Sequence, residues 1–312
     1  MLNTSDYNKG DIAEFAMSGT LGDAFIVFCK LSDYHKRTGN KVRLYHYTKY
    51  PEFGATLQRF FNLSPYIEYV YPPTYMDGPY NVDDCRRMAA PHVNIFWDGK
   101  GQGVLPDDPP EIGFDPFPQI QFGPVPLEPT KCRVGIQLHS GKFPGNFKGF
   151  SLRWVSAICR SLESEQFRVH LFGTAEGYRQ SAVDHIARTN GVSNLVGKLS
   201  FEEWLKHVAA MDFFITPEGL PAFWAMSQRV RSLVFFDFAD ILARIPPEWR
   251  ESHVLMSSGR DGFLDKLRNR IVLQVLGRSP MMAPLKVNQV RSLILSKTVF
   301  TGTNSKATGT LR

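Results

Sequence analysis

Short β-rich runs alternate with helical patterns in two successive series along this chain, and a stretch that suits neither element separates them. In the first series DIAEFAM, KVRLYHY, YIEYVYPP and VNIFWDG are the strand-like runs, interleaved with one helix opening at Asp23 and another over PEFGATLQRFFN. In the second, CRVGIQLH, FRVHLFG, SNLVG, MDFFITP and RSLVFFD are separated by LRWVSAICRSLESE, AEGYRQSAVDHIART, FEEWLKHVAA and LPAFWAMSQ. Such alternation predicts parallel sheets with helices on both faces, hence an α/β protein built from doubly wound units. Residues 101–131 carry eight prolines, which neither continue a helix nor sit in a central strand, so the segment reads as a connection between domains. The 312-residue length suits two domains. We expect them at 1–125 and 126–285, the second including a helix near 262–276, followed by a closing segment at 286–297 and an aperiodic, disordered tail at 298–312.

Composition narrows the classes of function. No apolar run approaches the ~20 residues that span a bilayer. The opening MLNTSDYNKGD is polar, with no basic stretch leading into an apolar one. A soluble, cytoplasmic protein is expected, with peripheral contact at the inner face of a membrane left open. Cys29, Cys85, Cys132 and Cys159 are widely spaced and form no CxxC or Cys/His cluster, which indicates reduced thiols and no zinc site. The net charge of +6 is unevenly divided, about −4 over residues 1–131 and about +10 over the remainder. An anionic ligand is therefore expected on the second half.

Five stretches carry candidate chemistry, each where a strand passes into a helix, the end at which open α/β sheets bind ligands. SGTLGDA places Gly19, Thr20 and Gly22 on a loop before Asp23. An aspartate there either caps the helix or accepts a proton from a hydroxyl, and its position alone leaves both readings open. QLHSGKFPGNFKGFSLRW carries Ser140, Lys142 and Lys148 ahead of a helix opening at Ser151, a set suited to a diphosphate but also ordinary for a surface loop. HLFGTAEG contributes Gly173, Thr174 and Glu176, and NLVGKLSFEEW contributes Lys198, Leu199 and Ser200, with Glu203 completing a capping-box pattern. ITPEGLPAFWAM opens a further helix at Glu218 and Gly219.

Taken in order, these stretches resemble the heptosyltransferase-like family of GT-B glycosyltransferases. The matching features are Gly22–Asp23, the VGI strand with its lysine loop and Trp154, the LFG turn at Leu171–Gly173, the Gly197–Lys198 and Ser200 turn, and the Pro217–Glu218–Gly219 loop. The resemblance implies two Rossmann-like domains facing a central cleft, with an acceptor on the first, a nucleotide-diphosphate sugar on the second, and the closing segment packed back across the cleft. It implies Asp23 as general base, Lys148 and the Glu218–Gly219 amides on the diphosphate, Ser140 presenting a hydroxyl, Leu199 facing the base and Glu176 on the ribose. The activity implied is an inverting transfer to a hydroxyl acceptor, a glycan or lipid-linked saccharide, with no metal and no cofactor beyond the sugar nucleotide. Two departures stand out: Pro217 where relatives carry an aspartate, and Ala222 where they carry a histidine. Two alternatives are a transferase acting on a modified DNA base and a nucleotide-sugar-binding protein without turnover. Aromatic and basic residues are not interleaved as a nucleic-acid stacking groove requires, which speaks against the first alternative.

Overall fold

The computed structural model describes residues 12–48, 50–75, 93–95, 110–120, 131–141, 148–162, 166–176, 178–236, 245–249, 254–257 and 286–298. Two parallel sheets and the helices that accompany them account for most of these. The first contains β1 (Ile12–Ser18), β2 (Lys41–Thr48), β3 (Ile67–Tyr69), β4 (Thr74–Tyr75) and β5 (Val93–Asn94) in the order β3-β2-β1-β5, with β4 paired to the end of β2. Its helices are α1 (Leu21–Thr38) and α2 (Gly54–Phe61), the latter preceded by a single 3-10 turn at Pro51–Phe53.

Among the described residues the second sheet has six strands: β6 (Cys132–Gln137), β9 (Phe167–Phe172), β10 (Ser193–Asn194), β11 (Phe213–Pro217), β12 (Arg231–Phe236) and β13 (Val254–Ser257). They run in the order β10-β9-β6-β11-β12-β13, and every pairing is parallel. Counted from β6 this is 3-2-1-4-5-6, the Rossmann order, whose direction reverses between β6 and β11. Between β6 and β9 the chain forms a small antiparallel hairpin, β7 (His139–Ser140) with β8 (Lys148–Gly149). The associated helices are α3 (Leu152–Ser161), α4 (Gln180–Thr189), α5 (Phe201–Ala209) and α6 (Leu220–Ser227).

Sequence dictates how the two units join. From Ala24 to Leu31, α1 is buried on every side, and all eight residues of α6 are buried as well. A helix that is apolar all round cannot leave a face in water. Each therefore covers its own sheet with one face and the other helix with the opposite one. Phe25 meets Trp224 edge-on at 5.9 Å and Trp249 at 6.1 Å, and Phe60 meets Phe201 at 6.2 Å, so one apolar cluster runs through both units. Truncating a ring such as Phe25 at this seam removes about 3–5 kcal/mol. The proline-bearing segment is fastened to the same seam: Asp115 accepts hydrogen bonds from the Ser32 hydroxyl and the Lys36 ammonium, both 2.6 Å, and Trp249 donates to the Pro116 carbonyl.

The boundaries expected near residues 125 and 285, the helix near 262–276 and the tail from 299 onward lie outside the described residues. The C-terminal helix α7 (Val287–Thr298) packs on α3 and buries Val290 and Ile294 in the core of the second unit. Its two buried aliphatic side chains lie four residues apart on one face, with Val287, Leu293 and Leu295 packed beside them. No described helix is long and apolar enough to cross a membrane.

Candidate functional site

The loop after β1 carries Asp23. Thr20 is the N-cap of α1 and Asp23 its third residue, and the carboxylate Oδ2 accepts the Thr20 amide at 2.7 Å and the Thr20 hydroxyl at 3.1 Å. Gly19 has φ +117, and a Cβ there would stand 2.5 Å from Asp23 Oδ2, so the loop needs glycine for its backbone and for space. His46 on β2 holds the same loop from below. Its Nε2 donates to the Gly19 carbonyl at 3.2 Å, which leaves Nδ1 to accept from the Tyr69 hydroxyl at 2.8 Å. Burial lowers His46 to about 4, so the ring is neutral at physiological pH.

The second half of the site lies where the larger sheet reverses direction, between the ends of β6 and β11. The β7–β8 hairpin sets Lys148 opposite Ser140. Lys148 forms an ion pair with Glu218, and the Ser140 hydroxyl donates to the Glu218 carbonyl. Both charged side chains are sheltered, Lys148 at 17% exposure and Glu218 at 5%. Of the two amides expected to face a phosphate, Glu218's is taken by the Phe235 carbonyl at 2.9 Å. Gly219, at φ +123, is the N-cap of α6, and the first turn leaves the Leu220 amide without an intrahelical acceptor, while Pro221 has none to give.

These halves meet. A Cβ on Gly22 would stand 3.5 Å from the Leu220 nitrogen and 3.8 Å from the Gly219 carbonyl carbon, so the start of α1 lies against the start of α6. Burial pushes the Asp23 carboxyl above the ordinary carboxylate value, while the Thr20 hydrogen bonds and the Lys148 ammonium draw it part of the way back. A carboxylate with raised proton affinity, a lysine and a helix N-terminus thus share one location, with the geometry to deprotonate a neutral hydroxyl and receive an anionic leaving group.

The remaining expected residues lie on neighbouring strand ends. A Cβ on Gly173, at φ +154, would stand 3.4 Å from the His139 ring, and Thr174 places its carbonyl 3.4 Å and its hydroxyl 3.3 Å from His139 Nε2. Glu176 is exposed, and its charge partly offsets the lowering that burial imposes on His139. Ser200 caps α5 in a capping box with Glu203, at 2.7 and 3.2 Å, as its spacing predicted. Leu199 packs on the shared apolar cluster. Lys198 lines an open groove of about 620 Å³ beside α4 and β10, together with Ser181, Asp184, Arg188 and Asn194 and away from Asp23 and Lys148. Lys142 lies outside the described residues. Among the described residues no three His, Cys, Asp or Glu side chains gather as a metal site would require.

Sequence reasoning passed over the residues that support the site. Tyr178 donates to the Phe150 carbonyl at 2.6 Å and the Leu138 carbonyl at 3.2 Å, clamping both sides of the hairpin, and Gln137 links the β6 end to Trp204 and to the His139 carbonyl. His46 carried a readable signal, because the alternation of KVRLYHYT puts it on the buried face with Val42 and Leu44.

No protein-family model matches the chain, and no curated protein matches it in sequence. Solved structures do. A glycosyl transferase family 9 protein from Veillonella parvula superposes with a TM-score of 0.58 at 10% identity, over 94% of this chain and 99% of that one. The E. coli heptosyltransferase WaaC with ADP gives 0.57 at 10% identity, over 92% and 98%. E. coli ADP-heptose LPS heptosyltransferase II gives 0.54 at 11% identity, over 92% and 99%. Matches over nearly the whole of both chains at such low identity establish architecture, and the chain has the GT-B fold of the heptosyltransferases.

Proposed function

We propose that this protein is an inverting, metal-independent glycosyltransferase that moves a sugar from a nucleotide-diphosphate donor to a hydroxyl acceptor. The observation that carries the reading is the convergence of Asp23 from the first sheet with Lys148 and the α6 N-terminus from the second. In this reaction Asp23 takes the acceptor proton as the acceptor oxygen forms its bond to the anomeric carbon. The bond from that carbon to the diphosphate oxygen breaks on the opposite face, and its electron pair leaves with the nucleoside diphosphate. The developing charge is met by Lys148 and by the Leu220 amide at the positive end of the α6 dipole. Solved neighbours include a heptosyltransferase with ADP bound, which supports a sugar nucleotide as donor class. A glycan or lipid-linked saccharide is the acceptor the reading favours. Tyr71 and Tyr75, exposed at the β3 and β4 end of the first sheet, offer ring faces to a sugar there.

The test is turnover. The protein is incubated with ADP-, GDP-, UDP- and dTDP-linked sugars and a panel of saccharide acceptors, and released nucleoside diphosphate is quantified with and without EDTA. Release dependent on one donor and one acceptor, undiminished by chelator, is expected. A second reading, a sugar-nucleotide-binding protein without turnover, is favoured by one observation, the placement of Glu218 on Lys148. Saturable binding of a sugar nucleotide with no release under any acceptor would select it.

A further inference from the structure

The atom best placed to receive a donor phosphate already has an anionic partner. Lys148 reaches toward the start of α6, and what it meets there is the Glu218 carboxylate. The backbone of Glu218 is fixed at both polar atoms, its amide by the Phe235 carbonyl and its carbonyl by the Ser140 hydroxyl, so its position does not depend on the ion pair. The next residue, Gly219, has no side chain to crowd a movement of the carboxylate. A rotation of the side chain would move the carboxylate while leaving the strand end and the helix start in place.

We propose that Glu218 is an internal anion that a donor must displace from Lys148, and that it sets the affinity threshold of this site. The inference rests on the reading that the donor diphosphate lies at the junction of β6 and β11. Its consequence is a threshold that a ligand crosses only with enough charge and denticity to replace the carboxylate. A diphosphate, which can engage Lys148 and the α6 N-terminus together, replaces the carboxylate. A monophosphate or simple inorganic anion, offering a single point of attachment, exchanges one ion pair for another with little gain. The carboxylate thus raises the threshold for anion binding while the cationic group is kept.

Calorimetric titration of the full chain with ADP, GDP, UDP, dTDP, AMP and inorganic pyrophosphate tests this, comparing the natural protein with Glu218→Gln and Glu218→Ser. Pyrophosphate reports on the phosphate position independently of any base. Gln keeps the shape and removes the charge, and Ser provides a second neutral variant should the amide fold poorly. Removing the internal anion is expected to tighten pyrophosphate and the preferred nucleoside diphosphate tenfold or more. The preference for that diphosphate over AMP is expected to be unchanged or to grow, because the diphosphate recovers the whole cost of displacing the carboxylate and AMP recovers at most the same. Unchanged or weakened pyrophosphate binding in both variants, with the natural protein still binding a nucleoside diphosphate, would overturn the proposal and leave the glycosyltransferase reading standing. Failure of the natural protein and both variants to bind any of these ligands would overturn both.

Discussion

Replacing Asp23 with asparagine separates its two structural roles. The amide oxygen of asparagine can still accept the Thr20 backbone amide, the 2.7 Å contact that ties the third residue of α1 to its N-cap. At most a fraction of a capping interaction is lost, and a whole one is worth ~1 kcal/mol. Working against that loss is the burial of a charge. The folded-state affinity of Asp23 for a proton is raised, so the folded protein holds its proton to higher pH than the unfolded chain, and stability falls as pH rises through that interval. Above it the ionised carboxylate is a net cost that asparagine removes. The melting temperature of Asp23→Asn at neutral pH is therefore expected to be unchanged or higher. Turnover behaves oppositely, because the amide cannot take a proton, and a fall of ~10²–10⁴ is expected at saturating donor. Differential scanning calorimetry and a nucleoside-diphosphate release assay on the same preparation give both numbers. Near-normal turnover, or a melting temperature several degrees lower with activity lost in proportion to unfolding, would refute the assignment and leave Asp23 as a helix cap.

Further expectations follow from the same geometry. His46→Phe removes the donor to the Gly19 carbonyl and is expected to lower turnover more than it lowers nucleotide affinity, as read from kcat against calorimetric Kd; parallel losses would make it a general folding defect. His46 and His170 are both lowered to about 4 by burial, so unfolding free energy measured by denaturant is expected to drop as pH falls from 6.5 to 4, by up to about 3 kcal/mol for each ring, and a flat profile would contradict their buried, neutral state. Neither ring nitrogen of buried His170 meets a partner among the described residues, so His170→Phe is expected to raise the melting temperature and flatten that profile. Tyr71→Ala with Tyr75→Ala is expected to raise the acceptor KM with donor affinity unchanged; an unaltered acceptor KM would remove the tyrosines from the acceptor surface.

The sheet architecture was legible because it rests on periodicity. Strand runs of five to eight residues such as KVRLYHYT and FFITP, and a capping box as compact as Ser200–Glu203, declare themselves locally. What escaped were elements too short to show a period: β4, the two-residue strands of the β7–β8 hairpin, and β13, which adds a sixth strand to the five that were read. The hairpin matters most, since its register sets Lys148 over Ser140 and Glu218. The chemistry of the site was legible as a list of residue types and illegible as a set of pairings. Lys148 and Glu218 are 70 residues apart, and nothing local to either indicates that the carboxylate occupies the ammonium. The same holds for Gly22 against Leu220, a contact created by packing the buried stretch of α1 against α6. The run AFIVFCKL, apolar but for Lys30, does record that α1 is enclosed, but not that its partner is α6.

The central claim is that a nucleoside diphosphate binds where the starts of α1 and α6 meet, and a crystal structure with the tightest-binding nucleoside diphosphate tests it most directly. The diphosphate is expected within ~3 Å of Lys148 Nζ and the Leu220 amide, beside Gly22 and Asp23, with the Glu218 carboxylate turned away. A nucleotide bound instead in the groove beside α4 and β10, or one leaving the Lys148–Glu218 pair intact, would contradict the account.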